Sequence, residues 1–523
     1  MRKFRLLGKI SLARFFTVPW KSNLPSSEDQ NWKNIGKKIV NVAQNCDTGE
    51  AAFNECCLAR EQLESVIQSV GYDMNVSIFG GLITLKIFEV GGDVDFVGVS
   101  DIEPGTEEAS EIVKRVASEL NYLGLKAWPL PKARVPVLKV DRISKSFPGS
   151  PLHNLSRDGV FQFIRQLNNT EAEDFTNLIK ENYGAKEVEW DSMFKFATAR
   201  FNSTSSLMYA LPHAKSQNKN IILSLPVDIR YGPEIYRFPF DFCLSSTGLR
   251  NSYLLGEALF KYPYSRHLLL ILKKWGRACG TINSIDGLLA SYALTVMLVH
   301  FLVKVEIIPI VSTEKNACEP HLLEVTPRYQ SLASGKDGDM AQVGFLFALF
   351  LEYFGNIFDY TNNVVCTSDM NLTKKSMGWD KLDNTNGKPP FFEFGIKDPY
   401  GKENIGRNLD LESTIFVQEA HISGLRCLLE NFNDPDTSVH ILTQKPPIPK
   451  RTTFPSIRKN TNPNFLTKNQ LEAKQALGKM RFHERKKSIE NFGKKAIKNA
   501  ENQDAASRVT KDILGWIRNS GSN

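Results

Sequence analysis

Several common features are missing from this chain of 523 residues, and each absence narrows what it can be. Its eight cysteines form no CxxC pair and none has a histidine at zinc-ligand spacing, which removes zinc ribbons, zinc fingers and CxxC redox centres. No apolar run supplies the ~20 clean residues of a membrane span. The longest, 287–303, contains Ser291, Tyr292, Thr295 and His300 and reads as a buried core helix. There is no internal repeat. There is also no acid before Glu28, although Arg2, Lys3, Arg5, Lys9, Arg14 and Lys21 lie in that stretch among Phe4, Leu6, Leu7, Ile10, Leu12, Phe15 and Phe16. An amphipathic, acid-free start of this kind reads as a mitochondrial transit peptide over residues 1–27, and the expected compartment is the matrix.

What is present is ordinary for a folded protein. With 42% hydrophobic and 23% charged residues, wholesale disorder and fibrous architectures are excluded. The net charge of +8 is uneven. Residues 445–523 hold 18 Lys and Arg against 6 Asp and Glu, a local +12, which leaves 47 minus 51, or −4, for the first 444. Residues 433–523 are therefore expected to be a Pro- and Thr-rich linker and a basic tail, with a helical stretch over about 467–500.

Periodicity gives the organisation. One or two helices are expected over 31–70, a strand at 76–79, a second strand through 94–99 after a glycine-rich stretch, an amphipathic helix over 106–123 and another strand at 133–140. Residues 144–230 change texture and read as an inserted domain. A strand resumes at 236–242, and helices follow at 254–260, 267–279, 287–303 and 342–358. The expected division is a first catalytic part over 28–143, an inserted middle domain over 144–230, a return strand over 231–250, and a mostly helical domain over 251–432. The fold class is α+β.

Asp93 and Asp95 stand two apart in a strand-like run, so both carboxylates point to one face. Such a pair can share Mg²⁺, which takes hard oxygen ligands together with substrate phosphates. Alone the pattern is also what a solvent-facing strand edge shows. Upstream, Gly80-Gly81 closes the preceding strand, where residues without Cβ allow close approach to a triphosphate. A pair of glycines followed some ten residues later by Asp-x-Asp resembles the DNA polymerase β-type nucleotidyltransferases. That resemblance implies a third carboxylate on a later strand. Asp241, an isolated acid within Phe238-Pro239-Phe240-Asp241-Phe242, is the candidate, and Asp141 is its rival.

Further residues extend the likeness to the terminal uridylyltransferases (TUTases). The stretch 248–252 resembles their ribose- and phosphate-contacting helix start, which assigns UTP binding to Asn251 and Ser252. Lys273 and Arg277 lie on one helical face, two cations suited to a triphosphate, with Arg standing where the family usually has Lys. The segment 287–294 resembles the one in which Ser291 would contact phosphate and Tyr292 would stack on uracil. The segment 391–407 resembles the nucleotide-recognition segment, with Asp398 reading the base edge. There the sequence departs from the family at Gly401, where a second acid is usual, and Glu403 is the shifted candidate. Arg134 and Arg407 are candidate RNA contacts.

The likeness covers about 31–407. The presequence-like start, the 133–137 strand and the insertion are similar to the mitochondrial TUTases of kinetoplastid RNA editing, in particular the smaller, editosome-embedded enzyme, since the zinc finger of the larger guide-RNA-tailing relative is not visible. The resemblance implies uridylyl transfer from UTP to an RNA 3′-hydroxyl, with release of pyrophosphate. It implies Mg²⁺, or Mn²⁺ in its place, on Asp93, Asp95 and Asp241. The implied partners are an mRNA fragment paired with guide RNA and protein subunits of the editing complex, with no membrane. A noncanonical mitochondrial poly(A) polymerase shares these carboxylates, and a non-catalytic RNA-binding scaffold would share the fold.

Overall fold

The architecture is described from a computed structural model, which covers residues 18–46, 49–88, 92–100, 102–143, 152–191, 194–311, 313, 337–381 and 390–443. Residues 1–17 of the expected presequence, and the expected tail from 444 onward with its basic helix, lie outside the described residues. Two compact units emerge. The first holds Pro25–Leu272 and Leu302–Phe347; the second holds Trp20–Leu24, Lys273–Phe301 and the chain from Ala348.

The first unit begins with helices α1 (Gln30–Cys46) and α2 (Gly49–Ser69), then strand β1 (Asn75–Phe79), the short helix α3 (Gly81–Leu85), β2 (Val94–Val99), α4 (Thr106–Tyr122), β3 (Leu125–Leu130) and β4 (Val137–Ile143). The insertion supplies β5 (Leu155–Phe163), α5 (Asn169–Tyr183), β6 (Ala185–Trp190), β7 (Phe196–Phe201), α6 (Thr204–Gln217) and β8 (Ile221–Asp228). The chain returns with β9 (Phe240–Cys243) and α7 (Thr247–Leu259), and α8 (Ser265–Ala278) follows.

Five strands form one mixed sheet in the order β1-β2-β9-β4-β3. Strand β9, although it returns only after the whole insertion, takes the central place, parallel to β2 and antiparallel to β4. Its sequence explains why. Phe240 and Phe242 alternate onto the core face and are fully buried, Phe240 edge-on to Phe96 of β2 at 5.3 Å. Burying each ring contributes roughly 1.5–3 kcal/mol, so a four-residue strand suffices to hold the centre. The same alternation turns Asp241 to the opposite face.

Two strand expectations shift at prolines. The strand expected over 133–140 starts only at Val137, after Pro136, and the one expected over 236–242 starts only at Phe240, after Pro239, with a 3₁₀ turn at Glu234–Tyr236. Proline has no N–H for a ladder. Strand β3 was not among the expected elements; it is an edge strand, where its Pro129 is tolerated.

The inserted segment forms its own four-stranded antiparallel sheet, ordered β6-β7-β5-β8, with α5 and α6 as the two crossover helices, the ferredoxin-like arrangement. Phe161, Phe163, Phe175, Phe201, Leu207 and Leu211 make its core. An Asn168–Glu171 capping box starts α5 and a left-handed Gly184 stops it. On the other side Val160, Phe196 and Val227 join the core of the five-stranded sheet. Buried Arg237 reaches Glu55 of α2 at 3.6 Å and Glu189 of β6 at 3.3 Å.

The second unit is mostly helical. It contains the end of α8, most of α9 (Ser291–Lys304), the end of α10 (Asp337–Glu352) with the π-turn Tyr353–Ile357, the strand pair β10 (Val364–Val365) and β11 (Gly395–Ile396), and helices α11 (Lys374–Met377), α12 (Leu411–Glu430) and α13 (Pro435–Thr443). The apolar run expected to form a buried helix does so from Ser291, and its central residues are fully buried. The segment Met340–Ile357 is long and apolar enough to cross a membrane, and 78% of it is buried inside the protein, as in a core helix. Helix α13 occupies 435–443, where the sequence reading began the linker; its apolar Val439 and Leu442 are buried, and Ser438 bonds the end of α12. Residues 251–272, expected with the helical domain, fall in the first unit.

Candidate active site

Pairing register creates the site in the first unit. Asp95 of β2 lies opposite Asp241 of β9, and Asp241 lies opposite Lys139 of β4, so an acid, an acid and a base occupy one rung across three strands. In-register neighbours share a face. Lys139 Nζ pairs with Asp241 Oδ2 at 2.5 Å. Burial pushes the Asp241 carboxyl above its ordinary range; Lys139 opposes that shift and the negative charge of Asp93 adds to it. Asp93, just before β2, is exposed. The rival Asp141 is displaced from the rung; it is exposed and stands 3.8 Å from Lys126 of the edge strand. Lys139 was not singled out from sequence, where it is one lysine in an apolar strand; only β9 pairing with β4 reveals it.

The glycine pair serves this rung by leaving space. A Cβ on Gly80 would stand 2.5 Å from Asp95 Oδ2, and Gly80 has φ +76°, a conformation that L side chains rarely adopt. Its N–H donates to Ser252 Oγ at 2.8 Å, and that hydroxyl donates to the Gly248 carbonyl at 2.8 Å. Ser252 is buried within α7, and these two bonds fasten the glycine turn to that helix. Its neighbour Asn251 is likewise buried. Gly81 is the first residue of α3.

The second unit contains the other residues expected at the triphosphate and base. Lys273 is buried and Arg277, one turn on, is exposed. A tight reversal then returns the chain to α9. Thr281 Oγ1 donates to the Gly276 carbonyl at 3.2 Å, and a Cβ on Gly276 would press within 2.8 Å of Ile282 Cδ1. Ser291 opens α9 with a buried Oγ that has no hydrogen-bond partner, a polar group that a phosphate oxygen would satisfy. Tyr292 Oη donates to Asp398 Oδ2 at 3.3 Å, which joins the stacking candidate to the base-reading candidate. Burial, and then the Asp398 charge, hold the Tyr292 phenol well above its ordinary range, so it stays a donor.

The loop carrying Asp398 is closed from within. Asp398 Oδ1 accepts from the amides of Tyr400 at 3.1 Å and Gly401 at 2.9 Å, while the Asp398 amide donates to the Glu403 carbonyl at 3.0 Å. A Cβ at Gly401 would stand 3.3 Å from Asp398 Oδ1. The carbonyl of Glu403 thus closes the loop, and its side chain is exposed. The anchor that sequence reasoning missed is Asn404. Its buried amide donates to the carbonyls of Phe391 and Phe394 and accepts from the amides of Ile396 and Gly406, at 2.8–3.1 Å. Of the expected RNA contacts, Arg134 is exposed in the turn before β4, and Arg407 is half-buried, its carbonyl accepting from the Phe391 amide.

Among the described residues, no group of three His, Cys, Asp or Glu side chains stands gathered as a metal cage. The donor set nevertheless suits a hard divalent cation, because Mg²⁺ commonly takes one or two carboxylates and completes its shell with water and substrate phosphate.

Comparison with known proteins places the chain near one group of enzymes. The family model described as Cid1 family poly A polymerase matches residues 342–404. Terminal uridylyltransferase 1 of Trypanosoma brucei brucei is 26% identical over 76% of this chain and 45% of its own length. Terminal uridylyltransferase 1 of Leishmania tarentolae is 25% identical over 73% of this chain and 40% of its own. The structure of RNA editing TUTase 1 from Trypanosoma brucei in complex with the UTP analogue UMPNPP superposes with a TM-score of 0.54, at 24% identity, over 76% of this chain and 87% of that one. This chain is similar to proteins named terminal uridylyltransferase over about three quarters of its length. It shares the polymerase β-like nucleotidyltransferase fold of the TUTase structures. The chain spans less than half the length of the curated relatives it matches.

Proposed function

We propose that this protein is an RNA uridylyltransferase that joins UMP from UTP to an RNA 3′-hydroxyl and releases pyrophosphate. The observation that carries the reading is the rung that sets Asp95 beside Asp241, with Gly80 stripped of Cβ above it. Similarity to proteins named terminal uridylyltransferase, one of them solved with a UTP analogue, supports uridylyl over other transfers.

In the reaction the 3′-oxygen attacks the α-phosphorus, the bond from that phosphorus to the bridging oxygen breaks, and pyrophosphate leaves. A divalent ion held by Asp93, Asp95 and Asp241 would supply charge stabilisation for the attacking and leaving oxygens. Asp241, the partly buried carboxylate with a raised proton affinity, accepts the proton of the 3′-hydroxyl. Lys273, Arg277 and the unpartnered hydroxyl of Ser291 hold the triphosphate charge. Tyr292 offers a π-face to the base, and Asp398 holds its phenol in place.

The reading extends to mitochondrial uridine-insertion editing, with Mg²⁺ or Mn²⁺, an mRNA 3′ end paired with guide RNA, and editing-complex subunits as partners. The acid-free basic start and the likeness to an RNA editing TUTase support it. Poly(A) polymerase is the second reading, favoured by the description of the family matched at 342–404 and by glycine at 401. Primer extension with each of the four NTPs separates the two: UTP preference supports uridylyl transfer, and ATP preference replaces it.

A further inference from the structure

We propose that Lys139 is a resident counter-cation for Asp241: it holds that carboxylate in the metal-free protein and is displaced when a divalent cation binds. The proposal rests on the reading of the Asp95–Asp241 rung as a metal site.

Three observations lead to it. Lys139 occupies β4, an interior strand between β9 and β3, where Leu138 and Val140 on either side of it are buried. Lys139 alternates to the opposite face from these two and is partly exposed there. Its partner in register is the third carboxylate itself, and its ammonium sits on Oδ2, an atom that a metal would need. Finally, Asp95 stands in register on the other side of Asp241, so the lysine pairs with a carboxylate that already has an acid as its neighbour.

Three nearby carboxylates repel one another when no cation is present. Lys139 offsets part of that repulsion and fixes the Asp241 side chain. The pair remains open to solvent, Lys139 being 38% and Asp241 24% exposed at the side chain. Its long stem can therefore swing the ammonium aside without leaving a buried charge. Ammonium and divalent cation compete for the same oxygen, so metal loading and lysine release are one coupled step. Lys139 acts through Asp241 and is a positioning residue.

The test measures Mn²⁺ binding to the full chain by electron paramagnetic resonance, without RNA or nucleotide, for the wild type, Lys139→Met, Lys139→Arg and Asp241→Asn. Removing a charge-assisted competitor should tighten Mn²⁺ binding in Lys139→Met by about tenfold. Lys139→Arg should stay near wild type, and Asp241→Asn should lose the site. A second measurement needs no variant at residue 139: acetylation of Lys139 in the wild type, followed by mass spectrometry, should rise several-fold when Mn²⁺ is added. Equal Mn²⁺ affinity in wild type and Lys139→Met, with Asp241→Asn still defective, overturns the proposal and leaves the metal site standing. Acetylation indifferent to Mn²⁺ overturns it as well. Wild-type Mn²⁺ binding that ignores Asp241→Asn removes the metal reading, and the proposal with it.

Discussion

A hydrogen is all that fits on the Cα of Gly80, because Asp95 Oδ2 lies where a Cβ would go. Gly80→Ala should cost about 1–3 kcal/mol in strain and push Asp95 out of its rung, so turnover should collapse while the far-ultraviolet circular dichroism stays unchanged. At Tyr292 the phenol and the ring can be separated. Tyr292→Phe keeps the stacking face but loses the bond to Asp398, about 1 kcal/mol, and should raise KM for UTP several-fold with kcat little changed. Tyr292→Ala should lose a further ~1–3 kcal/mol of base stacking. Histidines set the acid limit. Burial pushes His267 and His421 down to about 4 from 6.5, so the unfolded chain binds protons that the folded chain refuses. Stability is then complete above pH 6.5 and falls as pH drops toward 4, by about 3 kcal/mol for each histidine. Urea melts between pH 7.5 and 4.5 check this, and His421→Leu should flatten the slope by about half. At this scale the acids were legible only together with the glycine pair before them, since two carboxylates at strand spacing alone also mark a solvent-facing edge; the roles of Lys139 and Ser252 were not, because they depend on partners 102 and 172 residues away.

Elements were readable where periodicity was clean and were misplaced at prolines. Helix α4, with buried Ile112, Val113, Val116 and Leu120 along one face, matches its expected span to within a residue. Strands β4 and β9 begin later than expected, because Pro136 and Pro239, each standing just before the first paired residue, have no N–H to give a neighbouring strand. The recognition loop was found by likeness alone, since what holds it is the four-bonded amide of Asn404, and no pattern in sequence marks an asparagine as an anchor. The segment after the basic start is similarly silent. Trp20 Nε1, Ser22 Oγ and the Asn23 amide all donate to the buried carboxylate of Glu352, at 2.7–3.1 Å. Deleting residues 1–24 removes all three donors from a buried charge and should cost about 3 kcal/mol or more, seen as a Tm lower by several degrees than that of a chain lacking only residues 1–17.

Over the whole molecule, the interrupted sheet was legible because the insertion differs in texture from its surroundings, and its return strand carries Asp241. The ferredoxin-like order of the insertion was not, since strand order follows from pairings that sequence spacing leaves open. The basic stretch 445–523 adds a prediction at this scale: its removal should weaken RNA binding and flatten the salt dependence of what remains. The most direct test is primer extension by the purified full chain with Mg²⁺ and each NTP in turn, on a single-stranded RNA and on a gapped duplex, beside Asp241→Asn. The account predicts UTP-selective addition that falls at least about 10²-fold in the variant. Incorporation that persists undiminished in Asp241→Asn, or a preference for ATP, would contradict it.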